Sequence, residues 1–202
     1  SYALVTAIVR QIARQASSIE DYCNKLVHRI TDMGHAQDVL SLRSSGEATV
    51  ADVVRHMRER IDGKSDRISI SGPDVALSDE ETFALTLALF ELATNSTKYG
   101  ALSSEKGQVS VEWSLSETVP NAVFTFSWKE REGPTVKPPR QRGFGSFLVK
   151  QLLAAEFGGA VTVEYPEEGV VCSLTSQRNV TAKGSDAVCQ QNLEPGMGSP
   201  VA

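Results

Sequence analysis

The chain has 202 residues, 41% of them hydrophobic and 22% charged, with a net charge of −5 at neutral pH. Those proportions fit a globular protein long enough for one ordinary domain plus a small appendage, and the acidic balance leaves no basic footprint for nucleic acid. No apolar run is long enough to span a membrane. Three scattered cysteines, Cys23, Cys172 and Cys189, exclude a disulfide framework or a cysteine zinc site and predict reduced thiols in a cytoplasmic protein.

The N-terminus carries no signal-peptide pattern. It begins without Met inside a helical pattern, so the chain is expected to be a piece of a longer polypeptide. Residues 1–16 read as a helix, and Ser17-Ser18 cap a second one. In that second helix Ile19, Cys23, Leu26, Ile30, Met33, Gln37 and Leu40 recur at alternating spacings of four and three, a heptad seam with one polar interruption. Two such helices with a short join predict an antiparallel hairpin, completed as a four-helix bundle in a homodimer.

Ser41 to Gly46 reads as a linker. Thr49 then caps a third helix with Val50, Val53, Val54, Met57 and Ile61 as its apolar stripe, ended by Asp62-Gly63. Arg67 to Ser71 alternates as a strand, closed by Gly72-Pro73. Ser78-Asp79-Glu80-Glu81 supplies a cap and first-turn acids for an unusually apolar helix. Polar groups surface only at its end. Glu91, Asn95 and Lys98 fall on one stripe, because a helix turns about 100° per residue, and Gly100 stops it.

Two alternating strands follow, Gln108 to Leu115 and Ala122 to Trp128. Residues 129–142, with Pro134, Pro138 and Pro139, predict a long functional loop leading to Gly143-Phe144-Gly145-Ser146. An amphipathic helix through Phe157 then has Leu148, Leu152 and Ala155 inward, and Ala160 to Tyr165 and Val170 to Thr175 form a last hairpin. Beyond about Arg178 the low apolar content predicts a disordered tail.

Three groups of residues offer chemistry. A carboxylate, an amide and an ammonium on one helical stripe supply oxygen ligands for a hard cation beside a charge for phosphate, which points to a Mg-nucleotide. The plainer alternative is a core helix whose last turns meet water. Gly143-x-Gly145 before a helix lets backbone N–H groups approach an anion, with Arg140 and Arg142 just upstream, although no Rossmann or P-loop fingerprint is present. Glu130, after Trp128 and Lys129 at a strand end, can accept from the exocyclic amine of a base. His28, His35 and His56 read as exposed or packed bystanders rather than ligands.

In this order the motifs Glu91-Leu-Ala-Thr-Asn95-Ser-Thr-Lys98-Tyr99-Gly100, Trp128-Lys-Glu130 and Arg142-Gly143-Phe-Gly145-Ser146 resemble the C-terminal half of an HWE-type sensor histidine kinase of two-component systems, over about residues 1–177. The resemblance implies an α+β chain. A dimerisation and histidine-phosphotransfer hairpin over 1–45 precedes an ATP-binding α/β two-layer sandwich of the Bergerat (GHKL) type over 46–178, with 179–202 as the tail.

It further implies ATP and Mg2+ as cofactors, with Asn95 as the metal ligand and Glu91 positioning water at the metal. Lys98 and Tyr99 flank the phosphates, and Glu130 with Gly133 binds adenine. Arg142, Gly143, Gly145 and Ser146 fall at the phosphate turn, with the lid before them. The implied partners are a response-regulator receiver domain and an upstream sensory domain on the same polypeptide.

The chain departs from the family at Phe90, where the family carries a histidine, and the phosphoacceptor histidine is expected just before Ser1. Two other readings share these residues: a non-catalytic docking scaffold with a degenerate ATPase-like domain, and an anti-sigma-type serine kinase of the same ATPase class. The intact Asn95, Lys98 and glycine turn argue against the first, the long heptad hairpin against the second.

Overall fold

A computed structural model describes residues 6, 9–10, 12–14, 16–41, 47–61, 66–116, 121–136 and 144–179. The tail beyond Asn179, and Arg140, Arg142 and Gly143 before the last helix, lie outside the described residues, as does the start of the chain through residue 5. Among the first residues Thr6, Val9, Arg10, Ile12, Ala13 and Arg14 are helical, and a bend at Ser17-Ser18 leads into α1, Ile19–Ser41. The Ser18 hydroxyl accepts from Asp21 N–H at 3.1 Å, and Asp21 in turn accepts from Ser17 N–H at 2.8 Å, so the predicted cap pair starts this helix.

A two-residue strand β1 (Ala48–Thr49) opens onto α2, Val50–Ile61. Thr49 and Asp52 cap it reciprocally: the Thr49 hydroxyl accepts from Asp52 N–H and the Asp52 carboxylate accepts from Thr49 N–H. Val50, Val53, Val54 and Met57 are buried as the stripe predicts, and Ile61 is half-buried. Strand β2 (Ile68–Ser71) follows, then β3 (Ala76–Leu77), which pairs antiparallel with β1.

Helix α3, Asp79–Tyr99, starts at a complete capping box between Ser78 and Glu81. Its middle, Thr82 and Ala84 to Ala93, is buried on every side, which is why its sequence is apolar all round. Thr82 and Thr86 are buried polar exceptions, satisfied by donating to the carbonyls of Ser78 and Thr82, one turn back, at 2.7 Å each. Gly100 ends the helix by donating its N–H to Asn95 and Ser96 carbonyls, and a single 3-10 turn, Ala101–Ser103, follows.

Strands β4 (Gln108–Leu115) and β5 (Asn121–Arg131), helix α4 (Phe144–Phe157), and strands β6 (Gly159–Glu164) and β7 (Val171–Asn179) complete the chain. The five-stranded sheet runs β2-β4-β5-β7-β6, with β2 parallel to β4 and the remaining pairs antiparallel. One face is apolar: Val109, Val111 and Trp113 on β4, Phe124, Phe126 and Trp128 on β5, and Cys172 and Leu174 on β7. Burial of Phe124 or Phe126 contributes roughly 2 kcal/mol each. This makes an α+β protein with a two-layer helix-on-sheet sandwich.

Three expectations are adjusted. Strand β5 continues to Arg131, so Trp128 and Glu130 lie two apart inside it, on the same buried face, and Glu130 pairs with Val109 across the ladder. Among the described side chains of α4 the inward ones are Val149, Leu152, Leu153 and Phe157, whereas Ala155 is exposed; the side chain of Leu148 lies outside those described. The predicted seam on α1 divides between two faces. Leu26 and Met33, with Tyr22, pack on the core of the sandwich, while Ile19 and Ile30 are 85% and 60% exposed.

Candidate functional site

The last turns of α3 carry the predicted stripe. Asn95 donates through Nδ2 to Glu91 Oε1 at 2.9 Å, as residues four apart on one helical face can. Because an ionised carboxylate only accepts, this bond fixes which end of the Asn95 amide faces Glu91 and leaves the amide oxygen for another partner. Asn95, Lys98 and Tyr99 are exposed, whereas Glu91 is buried.

Glu91 is not left unpaired in that environment. Its Oε2 forms an ion pair with Arg29 of α1, whose side chain is also largely withdrawn from water. Hydrophobic patterning on α1 cannot reveal Arg29, because a polar residue is invisible to it. The visible signal is the i, i+4, i+7, i+11 series Tyr22, Leu26, Arg29 and Met33, one step round the helix from the seam. Phe90, one residue before Glu91, stacks on His35 of α1 with ring centroids 4.5 Å apart and meets the edge of His56 of α2 at 6.2 Å.

Glu130 stands at the exit of the same helix. Its Oε2 accepts from Ala101 N–H at 2.8 Å and its Oε1 from Trp128 Nε1–H at 3.2 Å. Ser96 Oγ hydrogen-bonds the carboxylate as well and accepts from Leu102 N–H at 3.2 Å. Burial pushes the Glu130 carboxyl above its ordinary value, and the three hydrogen bonds oppose that rise. The carboxylate therefore ties the exit of α3 to the sheet.

Close approach explains the glycines of this junction. A Cβ on Gly100 would come within 2.2 Å of Glu130 Oε2, and one on Gly133 within 2.6 Å of Ala101 Cα. Of the remaining predicted residues, Gly145 and Ser146 lie in the first turn of α4, so Gly145 is already helical rather than preceding the helix. Helix α4 packs on α3. Glu91 with Asn95, and Glu130 with Gly133, are thus two groups held on the same helix and its exit. Sequence reasoning did not find Arg29, Ser96, or the two histidines around Phe90.

A solved histidine kinase and its histidine kinase domain share this fold. The histidine kinase from Erythrobacter litoralis EL346, described as blue-light activated, aligns with a TM-score of 0.60 at 16% identity over 87% of this chain and 57% of that one. Its separate histidine kinase domain aligns with a TM-score of 0.52 over 86% of this chain and 94% of that one, again at 16% identity.

The family model for HWE histidine kinases matches residues 1–74. Blue-light-activated histidine kinases of Brucella ovis and Brucella anthropi are 34% and 32% identical over 175 residues, 86% of this chain. Residues 1–74 are thus matched by the HWE histidine kinase family model, and the chain is a homologue of those kinases. It spans 36% of the length of these relatives.

Proposed function

We propose that this chain is the core of an ATP-dependent protein-histidine kinase, with its nucleotide site around Asn95. The hydrogen bond from Asn95 Nδ2 to Glu91 carries the reading. It presents the amide oxygen, a hard donor of the kind Mg2+ selects, on an exposed side chain at a helix end. Mg2+ held there would neutralise phosphate charge on ATP.

The chain's own residues do the positioning. Glu91 holds the Asn95 amide in orientation and orders water beside it. Lys98 and Tyr99 meet the phosphates from the exposed end of α3. Gly143, Gly145 and Ser146, with Arg142, take the phosphates at the start of α4, where the N–H groups of a helix's first turn and the helix dipole favour an anion. Glu130 and Gly133 serve the adenine: with Ala101, Trp128 and Ser96 bonded to it, the Glu130 carboxylate keeps one lone pair to accept from the exocyclic amine without releasing any of them.

The γ-phosphoryl group passes from ATP to a histidine nitrogen, leaving ADP, and then to an aspartate of a response-regulator receiver domain. Positioning and charge stabilisation supply most of the rate. Residues 1–45 serve dimerisation and phosphotransfer, 46–178 bind ATP, and 179–202 form the tail. The exposed apolar stripe of Ile19, Val27 and Ile30 on α1 supports a homodimer. The sensory domain is on the same polypeptide, upstream, and the protein works in the cytoplasm.

Incubation of the longer polypeptide that carries this chain with ATP labelled in the γ-phosphate tests the reading. An acid-labile, alkali-stable label that disappears in Asn95→Ala is expected. No label would favour the docking scaffold, and an acid-stable label the serine kinase.

A further inference from the structure

Where α1, α2 and α3 meet, three side chains with no role in the nucleotide site converge. His35 and Asp38 stand one turn apart on α1, and His56 faces them from α2. One ligand atom from each lies within 4.8 Å of the other two. Nε2 of His56 is buried and has no hydrogen-bond partner among the described residues. Phe90 flanks both histidines, stacked on His35 and edge-on to His56, so the apolar neighbour cannot supply the missing bond.

Two imidazoles and a carboxylate are a donor set for zinc-like cations, whose tetrahedral ligands stand roughly 3.4 Å apart. The contraction needed is small, and Asp38, the exposed member, is free to make it by a rotamer change. We propose that His35, Asp38 and His56 form a binding site for a divalent transition-metal cation, distinct from the Mg2+ site at Asn95. Magnesium prefers oxygen donors, so the two sites differ in chemistry as well as place. A bound cation would clamp α1 onto α2, beside the Arg29–Glu91 pair.

Arg60 is the built-in competitor. Its guanidinium donates to Asp38 Oδ2 at 3.0 Å, and the same oxygen lies 3.8 Å from His35 Nδ1. About half of the Arg60 side chain is exposed, so it can swing into solvent when the cation takes its place.

The test is titration of the chelator-stripped protein with Zn2+, and with Co2+ as a spectroscopic probe. One equivalent of metal is expected, with Co2+ absorption of tetrahedral intensity. Binding should weaken at least tenfold in His35→Ala and in His56→Ala, tighten in Arg60→Gln, and stay unchanged in His28→Ala. Thermal midpoints in chelator show which variants fold. If a histidine variant does not, Asp38→Asn at an exposed position should give the same loss. Absence of saturable Zn2+ binding, or binding that survives His56→Ala in a folded protein, would overturn the site.

Discussion

Arg29 on α1 and Glu91 on α3 form an ion pair, with side chains 14% and 8% exposed, and Glu91 also accepts the amide of Asn95. One carboxylate therefore joins the N-terminal helical segment to the residues assigned to nucleotide binding. Removing one partner of a buried pair strands the other charge. Arg29→Ala should cost about 3 kcal/mol in urea denaturation. Adding Glu91→Gln should recover part of it, with a coupling energy of at least about 1 kcal/mol in the double-mutant cycle. Additive effects would mean that the pair does not hold α1 in place.

Glu130 makes stability depend on pH. Its carboxyl is raised in the folded protein chiefly by burial, so the folded state binds the proton more tightly than the unfolded chain. The resulting stabilisation is complete below the ordinary value of 4.5 and is lost as pH rises through the raised folded value. Glu130→Gln should flatten that slope. Denaturation midpoints measured from pH 4 upward should therefore converge toward the acid end. A slope unchanged by the substitution would place the effect elsewhere.

Gly100 and Gly133 should resist substitution for steric reasons. A methyl at either position meets Glu130 Oε2 or the Ala101 backbone well inside contact distance. Gly133→Ala faces backbone, which cannot move aside, and should cost at least about 2 kcal/mol. Gly100→Ala displaces the Glu130 carboxylate, so its cost should shrink when combined with Glu130→Ala. Thermal unfolding of the single and double variants reads both.

Two cysteines separate by environment. Cys172 is buried on β7 and its thiol is pushed up to about 12 by burial, whereas Cys23 is exposed on α1. In a Cys189→Ser background, a thiol reagent at pH 8 should modify Cys23 rapidly and Cys172 only on unfolding. Fast modification of both would contradict the packing of β7 against α4.

Much of this arrangement is legible in the sequence, for identifiable reasons. Ser78 and Glu81 announce α3, its apolar run announces its burial, and the spacing of Glu91 and Asn95 places them side by side. Strand alternation carries β4 to β7. The pair β1 and β3 escapes because two residues are too few for a period. Strand β5 is read short because Lys129, Glu130 and Arg131 look like a loop, although alternation buries Glu130 beside Trp128. The α1 seam is misplaced because Leu26 and Met33 belong to two overlapping apolar series. Only the contact with α3 decides between them.

Asn95 and its neighbours are proposed to hold a Mg-nucleotide, and the decisive measurement is equilibrium binding of a fluorescent ATP analogue with and without Mg2+. Saturable, Mg2+-dependent binding to the wild-type chain is expected, abolished in Asn95→Ala while the variant keeps its thermal midpoint. No Mg2+-dependent binding at millimolar nucleotide, or equal binding by a folded Asn95→Ala protein, would contradict it.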